Sequence, residues 1–372
     1  MTDDAWVAWR EARPPTSLLH LDTAAVGRSS VATLEAVAGH ARLEAERGGY
    51  VAQEQAAPQL EELRRDLAGL LGTDTDGVAF VESAMTALDT LVRAWPLAPG
   101  AHVLVAPSEW GPNLELLERH GLVTEPITTD DDGVVDLDAF GRRVGAGPVD
   151  VVLVDQVSAH RGLVQPAAEI VAVAHEHGVP VWLDAAQSVG HVAVPPADAV
   201  VATSRKWLTG PRGVGMVAVA EQHRPDLRVR RPAKLPDVPV VQLLESQEAH
   251  VAGRVGLGVA VREHLDHGPG AVADRLAEVG RAVREMAATL DGWEVVHPHA
   301  PAGATTSLRS TAGQDTVRAR ELLLHRHEIL TSLCLPWRAP GERIDEPWLR
   351  LSPHVDLTVD DLERTAAALR VV

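Results

Sequence analysis

Through the first two-thirds of the chain, short runs of consecutive apolar residues alternate with segments whose apolar positions recur every three or four residues. The runs VAFV, HVLVA, VDVVLVD, VPVWLD, ADAVVAT and VGMVAVA lack polar alternation, as expected of strands covered on both faces. Between them, SAMTALDTLVRAW and PAAEIVAVAHEHG have helical spacing and stop close to Pro or Gly. This alternation predicts an α/β domain with a mainly parallel sheet flanked by helices. After residue 223 the stretch HRPDLRVRRPAKLPDVPV is rich in Pro and Arg with little periodicity, which places a domain boundary near residue 240. Beyond it the spacing predicts helices over residues 250–267 and 271–290, strands at WEVVH and TTSLRS, and a closing helix from residue 358. That order suits a smaller α+β domain. The expected division is an N-terminal arm at 1–16, a large domain at 17–240, and a helical linker with a small C-terminal domain at 241–372. No internal repeat or low-complexity tract is visible, and the acidic run at 130–132 reads as a solvated loop.

Bulk composition narrows the partners. The 372 residues are 45% apolar and 23% charged, ordinary values for a globular chain that buries a large core. A formal charge of -18, with Arg interleaved among Asp and Glu, argues against nucleic acid or an anionic membrane as partner and favours a small molecule. The start, MTDDAWVAWREARPP, is acidic and lacks an apolar core, and no apolar run reaches the ~18 residues needed to span a bilayer, so a cytoplasmic location is expected. The single cysteine, Cys334, excludes an internal disulfide and any multi-thiolate metal site.

The candidate chemistry begins with lysine usage. Lys+Arg totals 34, yet only Lys206 and Lys234 are lysines. An amine can lose a proton and attack a carbonyl, which a guanidinium cannot do. Three predicted strand ends converge near Lys206. VWLDAAQSVG ends its strand at Asp184, DVVLVDQVSAHRG delivers Asp155, Gln156, Ser158 and His160, and ADAVVATSRK delivers Thr203, Arg205 and Lys206. In open parallel sheets, ligands lie beyond the carboxyl ends of the strands.

The motifs LDTAAVG, FVESAMTALDTLV, SEWGPN, DQVSAHRGLVQP, LDAAQSVGH, TSRKWLTGPRGVG and WLRLSPHVDLT span nearly the whole chain. In this order and spacing the sequence resembles the class V aminotransferase and cysteine desulfurase-like family of fold-type I pyridoxal-phosphate enzymes. The resemblance implies a seven-stranded-type sheet, pyridoxal 5'-phosphate as cofactor, no metal, and a homodimer with the active site at the subunit interface. It implies that Lys206 holds the cofactor through its amine and then shuttles the substrate's α-proton. Asp184 would pair with the pyridine nitrogen, Gln187 would donate to the phenolic oxygen, and Trp110 would stack on the ring. Ser83, Ala84 and Met85 open a helix whose amides suit the phosphate, with Thr203 and Arg205 adding a hydroxyl and a cation. Arg350 matches the family's carboxylate clamp, and His160 and His354 fall in matching motifs. Two departures stand out. Arg205 replaces the histidine that commonly precedes the lysine, and Gln247 and Glu248 stand where many relatives present Gly-Thr to the phosphate from the neighbouring subunit.

The cofactor supports transamination, desulfuration and β-elimination alike. Cys334 falls close to the position of the desulfurase nucleophile, but its neighbours Leu333, Leu335 and Pro336 would bury and neutralise a thiol, with no adjacent cation to lower its pKa. Elimination from a cysteine S-conjugate is then the simplest chemistry. Within the family the lengthwise match looks most like the ergothioneine-biosynthesis carbon-sulfur lyases, which implies hercynylcysteine sulfoxide as substrate. Aromatic faces bind quaternary ammonium groups, so Trp337 and Trp348 are candidates for that end of the substrate. Cysteine desulfurase, class V aminotransferase, and a catalytically idle binding subunit remain as alternatives.

Overall fold

The computed structural model describes residues 3–230, 237–246, 248–297 and 299–372. All six apolar runs form strands of one seven-stranded sheet. These are β1 (Val78–Val81), β2 (His102–Val105), β4 (Val151–Asp155), β5 (Val181–Asp184), β6 (Ala199–Thr203) and β7 (Gly215–Val219), with β3 (Val123–Pro126) as the additional member. The strand order is β1-β7-β6-β5-β4-β2-β3, and only β7 runs antiparallel to its neighbours. Apolar side chains from helices fill both faces, Leu63, Leu67 and Ile170 on one and Leu88, Leu91 and Leu117 on the other. Two-sided burial is why these strands read as unbroken Val-rich runs. β3 lies at the sheet edge and is half-exposed, so its sequence carries no such run.

At the opposite edge, side chains occupy the free backbone groups of β1. Phe80 donates its N–H to Glu245 Oε1 (3.2 Å), while the carbonyls of Val78 and Phe80 accept from Arg64 (2.6 Å) and Arg254 (3.3 Å). Glu245 also pairs with both arginines at 2.7 Å. A strand edge satisfied in this way offers no template for further pairing.

A second, antiparallel sheet is built from β8 (Trp293–Val295), β9 (Thr306–Ser310), β10 (Ser332–Cys334) and β11 (Trp348–Leu351), in the order β10-β11-β9-β8. The predicted helices appear at Val251–His267, Pro269–Ala287 and Val359–Leu369. Leu19 and Leu21, from the sequence's first domain, pack in the core of this second sheet, and Leu19–His20 pairs in parallel with Ile329–Leu330. Among the described residues no helix is long and apolar enough to cross a membrane.

The N-terminal arm is a docked helix, Asp3–Glu11. Trp9 stacks on His354 with ring centroids 4.4 Å apart, and the Arg13 guanidinium lies 3.2 Å from the centroid of the Trp9 ring. Arg13 also pairs with Glu263 and donates to the Trp9 carbonyl at 2.7 Å. Because Trp9 is only 5% exposed, Trp9→Ala should cost about 3–5 kcal/mol of stability. Urea unfolding would show this as a lowered midpoint, and an unchanged midpoint would mean that the arm is not part of the cooperative unit.

Candidate active site

The carboxyl ends of β4, β5 and β6 and the start of helix Ala84–Ala94 enclose a cavity of about 340 Å³. Ser83, Ala84, Met85, Trp110, Asp184, Gln187, Thr203, Arg205, Lys206 and Arg350 all line it, together with Asn113, Asp155 and Arg338. Ser83 caps the helix, its hydroxyl accepting from Thr86 N–H at 3.0 Å. The amides of Ala84 and Met85 in the first turn have no intrahelical acceptor, so they are available to an anion. Gly215 at the start of β7 abuts the Ser83 backbone so closely that a Cβ there would collide with it.

Lys206 lies partly buried in the cavity wall. Burial pushes its amine down to about 7, helped by the nearby Arg205, Arg350 and Arg338 guanidiniums and opposed by Asp184. Its main chain is held from two sides. A Cβ on Gly27 would collide with the Lys206 carbonyl, and one on Gly190 would lie 2.9 Å from Trp207 C. Trp207 in turn donates its indole N–H to Gln187 Oε1 at 2.8 Å, while Gln187 Nε2 donates to the Ala24 carbonyl at 2.9 Å.

Asp184 accepts from Ala186 N–H and from Asn113 Nδ2, each at 2.8 Å. Asn113 Nδ2 also lies 2.9 Å from Glu109 Oε1. Glu109 is wholly buried, and burial with the charge of Asp184 pushes its carboxyl up to about 8. Asp155, bonded to Ser108 Oγ at 2.7 Å, is likewise raised by burial and by Glu109. Within SEWGPN the sequence points to Trp110, whereas the roles of Glu109 and Asn113 emerge only from the fold. The signal for them is an acid and an amide four residues apart, the spacing of one helical turn, just beyond a buried strand.

Several sequence candidates lie elsewhere. Gln156 donates to the Ala193 carbonyl and Ser158 accepts from Leu163 N–H, so both serve the loop. His160 is buried behind the cavity, bonded to Glu342 at 2.7 Å and stacked on Trp348 with centroids 6.0 Å apart. Trp348 packs with Cys334, Ala339 and Ile344 and does not line the cavity. Trp337 is 49% exposed and meets Trp110 edge-on at 5.1 Å. His354 donates from Nε2 to the Trp207 carbonyl, 3.1 Å away, beneath the Trp9 ring. Glu248 is exposed and outside the cavity lining; Gln247 and Lys234 lie outside the described residues. Cys334 is fully buried, donating to the His160 carbonyl at 3.0 Å. Contrary to the sequence expectation, Arg350 and Arg338 do act on this thiol, yet burial outweighs them and raises its pKa.

The donor set suits an aldehyde-bearing phosphate ester. It combines a neutral amine, open helix amides, a hydroxyl and guanidinium, and a carboxylate facing the same cavity. A model of the class-V aminotransferase family matches residues 20–261, and the chain belongs to that family. It is 43% identical over 364 residues to a protein of Mycobacterium tuberculosis (strain CDC 1551 / Oshkosh) named "Probable hercynylcysteine sulfoxide lyase", covering 97% of this chain and 92% of the relative. Among solved structures, the apo cysteine desulfurase of Thermococcus onnurineus NA1 superposes with a TM-score of 0.86 at 20% identity, covering 97% of this chain and 96% of that one. A variant of the protein C-DES with glycine covalently linked to its PLP cofactor superposes with a TM-score of 0.85 at 16% identity, covering 96% and 97%.

Two outcomes follow from the electrostatics. Dinitrophenylation at Lys206, read by peptide mass spectrometry, should rise with a midpoint near pH 7 as the amine loses its proton; a midpoint near 10.5 would mean that the amine is solvated. Glu109 stays protonated in the fold to about pH 8 but ionises in the unfolded chain near 4.5, so it makes stability fall as pH rises across that window. Glu109→Gln keeps the acceptor for Trp110 and Asn113 and removes the titration. Its urea midpoint should therefore fall less over this window than that of wild type, and equal slopes would refute the assignment.

Proposed function

We propose that the chain is a pyridoxal-phosphate-dependent carbon-sulfur lyase. In this reading it cleaves hercynylcysteine sulfoxide to pyruvate, ammonia and a sulfenic acid whose reduction gives ergothioneine. The observation that carries the reading is the buried amine of Lys206, lowered to about 7, in one cavity with Asp184 and the open helix amides. The named relative at 43% identity supports the choice of substrate.

When bound, pyridoxal phosphate supplies an electron sink that acidifies the substrate's α-C–H. The amides of Ala84 and Met85, with Ser83, Thr203 and Arg205, would hold its phosphate. Asp184 would face its ring nitrogen, and Trp110 would cover the ring. Gln187 would reach its phenolic oxygen with the amide hydrogen not given to Ala24.

Arg350 would take the α-carboxylate. Three of its N–H groups are committed to Ser332 Oγ (3.0 Å), the Ala159 carbonyl (2.5 Å) and Asp22 Oδ1 (3.1 Å), which fixes the plane of its fork and leaves two donors. Lys206 Nζ, neutral above about pH 7, would accept the α-proton. The C–S bond then breaks with its electron pair passing to sulfur. A sulfenate leaves more easily than a thiolate, so an oxidised sulfur needs no attack by a protein thiol. The three-carbon fragment departs as 2-aminoacrylate and adds water to give pyruvate and ammonia.

The sealed, protonated Cys334 favours this elimination over desulfuration. The proposal includes an arm at 1–16, a cofactor-binding domain at 17–240 and a second domain at 241–372, working as a cytoplasmic homodimer.

Pyruvate release from hercynylcysteine sulfoxide tests the reaction. Wild type and Cys334→Ala should release it at rates within about threefold of each other, while Lys206→Ala should lose at least a hundredfold. Loss of activity in Cys334→Ala would point to a thiolate mechanism, and absence of pyruvate with wild type would remove the lyase reading.

A further inference from the structure

The cavity contains a cation that the roles above leave unused. Among the described residues the Arg338 guanidinium has no side-chain hydrogen bond or ion pair, and its Nε is buried without a partner. Arg350 by contrast is tied down by three partners. Leaving a largely buried guanidinium unpaired is costly unless an anion completes it. The lining as a whole is cationic even with Lys206 neutral, since Arg205, Arg338 and Arg350 are set against Asp155 and Asp184.

The loop that carries Arg338 is fixed in place. Glu342 is bonded at 2.7 Å to both His160 and Arg161. The Trp337 carbonyl lies so close to Gly111 that a Cβ there would collide with it, and a Cβ on Gly341 would lie 2.6 Å from the Pro107 carbonyl oxygen. The guanidinium carbon stands 5.4 Å from the centre of the Trp110 ring and 5.3 Å from that of Trp337. These indoles therefore already face a cation, which disfavours them as the seat of a trimethylammonium group.

Depth orders the two arginines. Arg350 is 1% exposed and shares the interior with Lys206, where the α-carbon must lie. Arg338 is less buried than Arg350 and follows the exposed Trp337, so it stands nearer the surface, where the substituent on sulfur would extend. We propose that Arg338 receives a carboxylate on the S-substituent, so that the enzyme selects amino acids carrying two carboxylates. The inference rests on the lyase reading for the orientation of its substrate. Hercynylcysteine sulfoxide has such a second carboxylate in its betaine end.

The test compares that compound with an analogue in which only the betaine carboxylate is replaced by hydrogen, using wild type, Arg338→Met and Arg338→Lys. Wild type should favour the dicarboxylate by about ten- to a hundredfold in kcat/KM, carried mainly by KM. Arg338→Met should lose that preference, so that its kcat/KM values for the two compounds agree within about threefold whatever its absolute rate. Arg338→Lys should retain part of the preference. Equal losses on both compounds, or a preference that survives in Arg338→Met, would overturn the proposal. Calorimetric Kd values for both compounds, with Lys206→Ala protein supplied with pyridoxal phosphate and the same change made at Arg338, repeat the comparison without turnover. If wild type releases no pyruvate, the lyase reading fails, and these Kd ratios still decide the role of Arg338.

Discussion

The structure turns on keeping one amine dry. A lysine in water is protonated well beyond neutrality and cannot act as a base or nucleophile; burial of Lys206 brings its neutral form within reach at about 7. That burial requires the Lys206–Trp207 backbone to be pressed between two chain segments, and Gly27 and Gly190 provide the room. Gly190 also adopts a φ of 82°, which side-chain-bearing residues rarely take. Trp207, bonded to Gln187 and stacked at 4.0 Å on His191, fixes the segment from below.

The polar shell answers the same requirement. A cavity lined by three arginines would repel a protonated amine, which helps to hold Lys206 neutral. Asp184 is the counterweight, and it is oriented through Asn113 and the Ala186 amide. Glu109, raised to about 8 by burial and by Asp184, adds little negative charge to this balance near neutrality, and burial with the charges of Glu109 and Asp184 raises Asp155 as well.

Much of this was legible from letters alone, for identifiable reasons. Strands buried on both faces must be continuously apolar, so six of the seven strands of the large sheet showed themselves as Val-rich runs. β3 did not, because an edge strand ending in Pro126 has only partial burial to record. Lys206 stood out because the chain otherwise uses arginine for positive charge. Contacts that join distant segments were invisible. Nothing local to Leu19 indicates that it pairs with Ile329, and Arg338 looks like a surface arginine until Trp110 is brought beside it. His160 and Trp348 lie in motifs near the site, but motif proximity does not distinguish a cavity wall from the layer behind it.

The path of the first thirty residues has a consequence for how the protein is made. Ala24 accepts the bond from Gln187, yet its own N–H is held by Ser352 Oγ at 3.1 Å, and Trp9 stacks on His354. These early residues thus find partners both in the middle of the chain and more than three hundred residues further along it. The large sheet, complete by residue 219, can assemble before residues 352–354 are made, but the wall behind the lysine closes only once they have joined it. Cofactor capture in a finished wall therefore waits for those late residues, and until then the incomplete chain must be kept from aggregating.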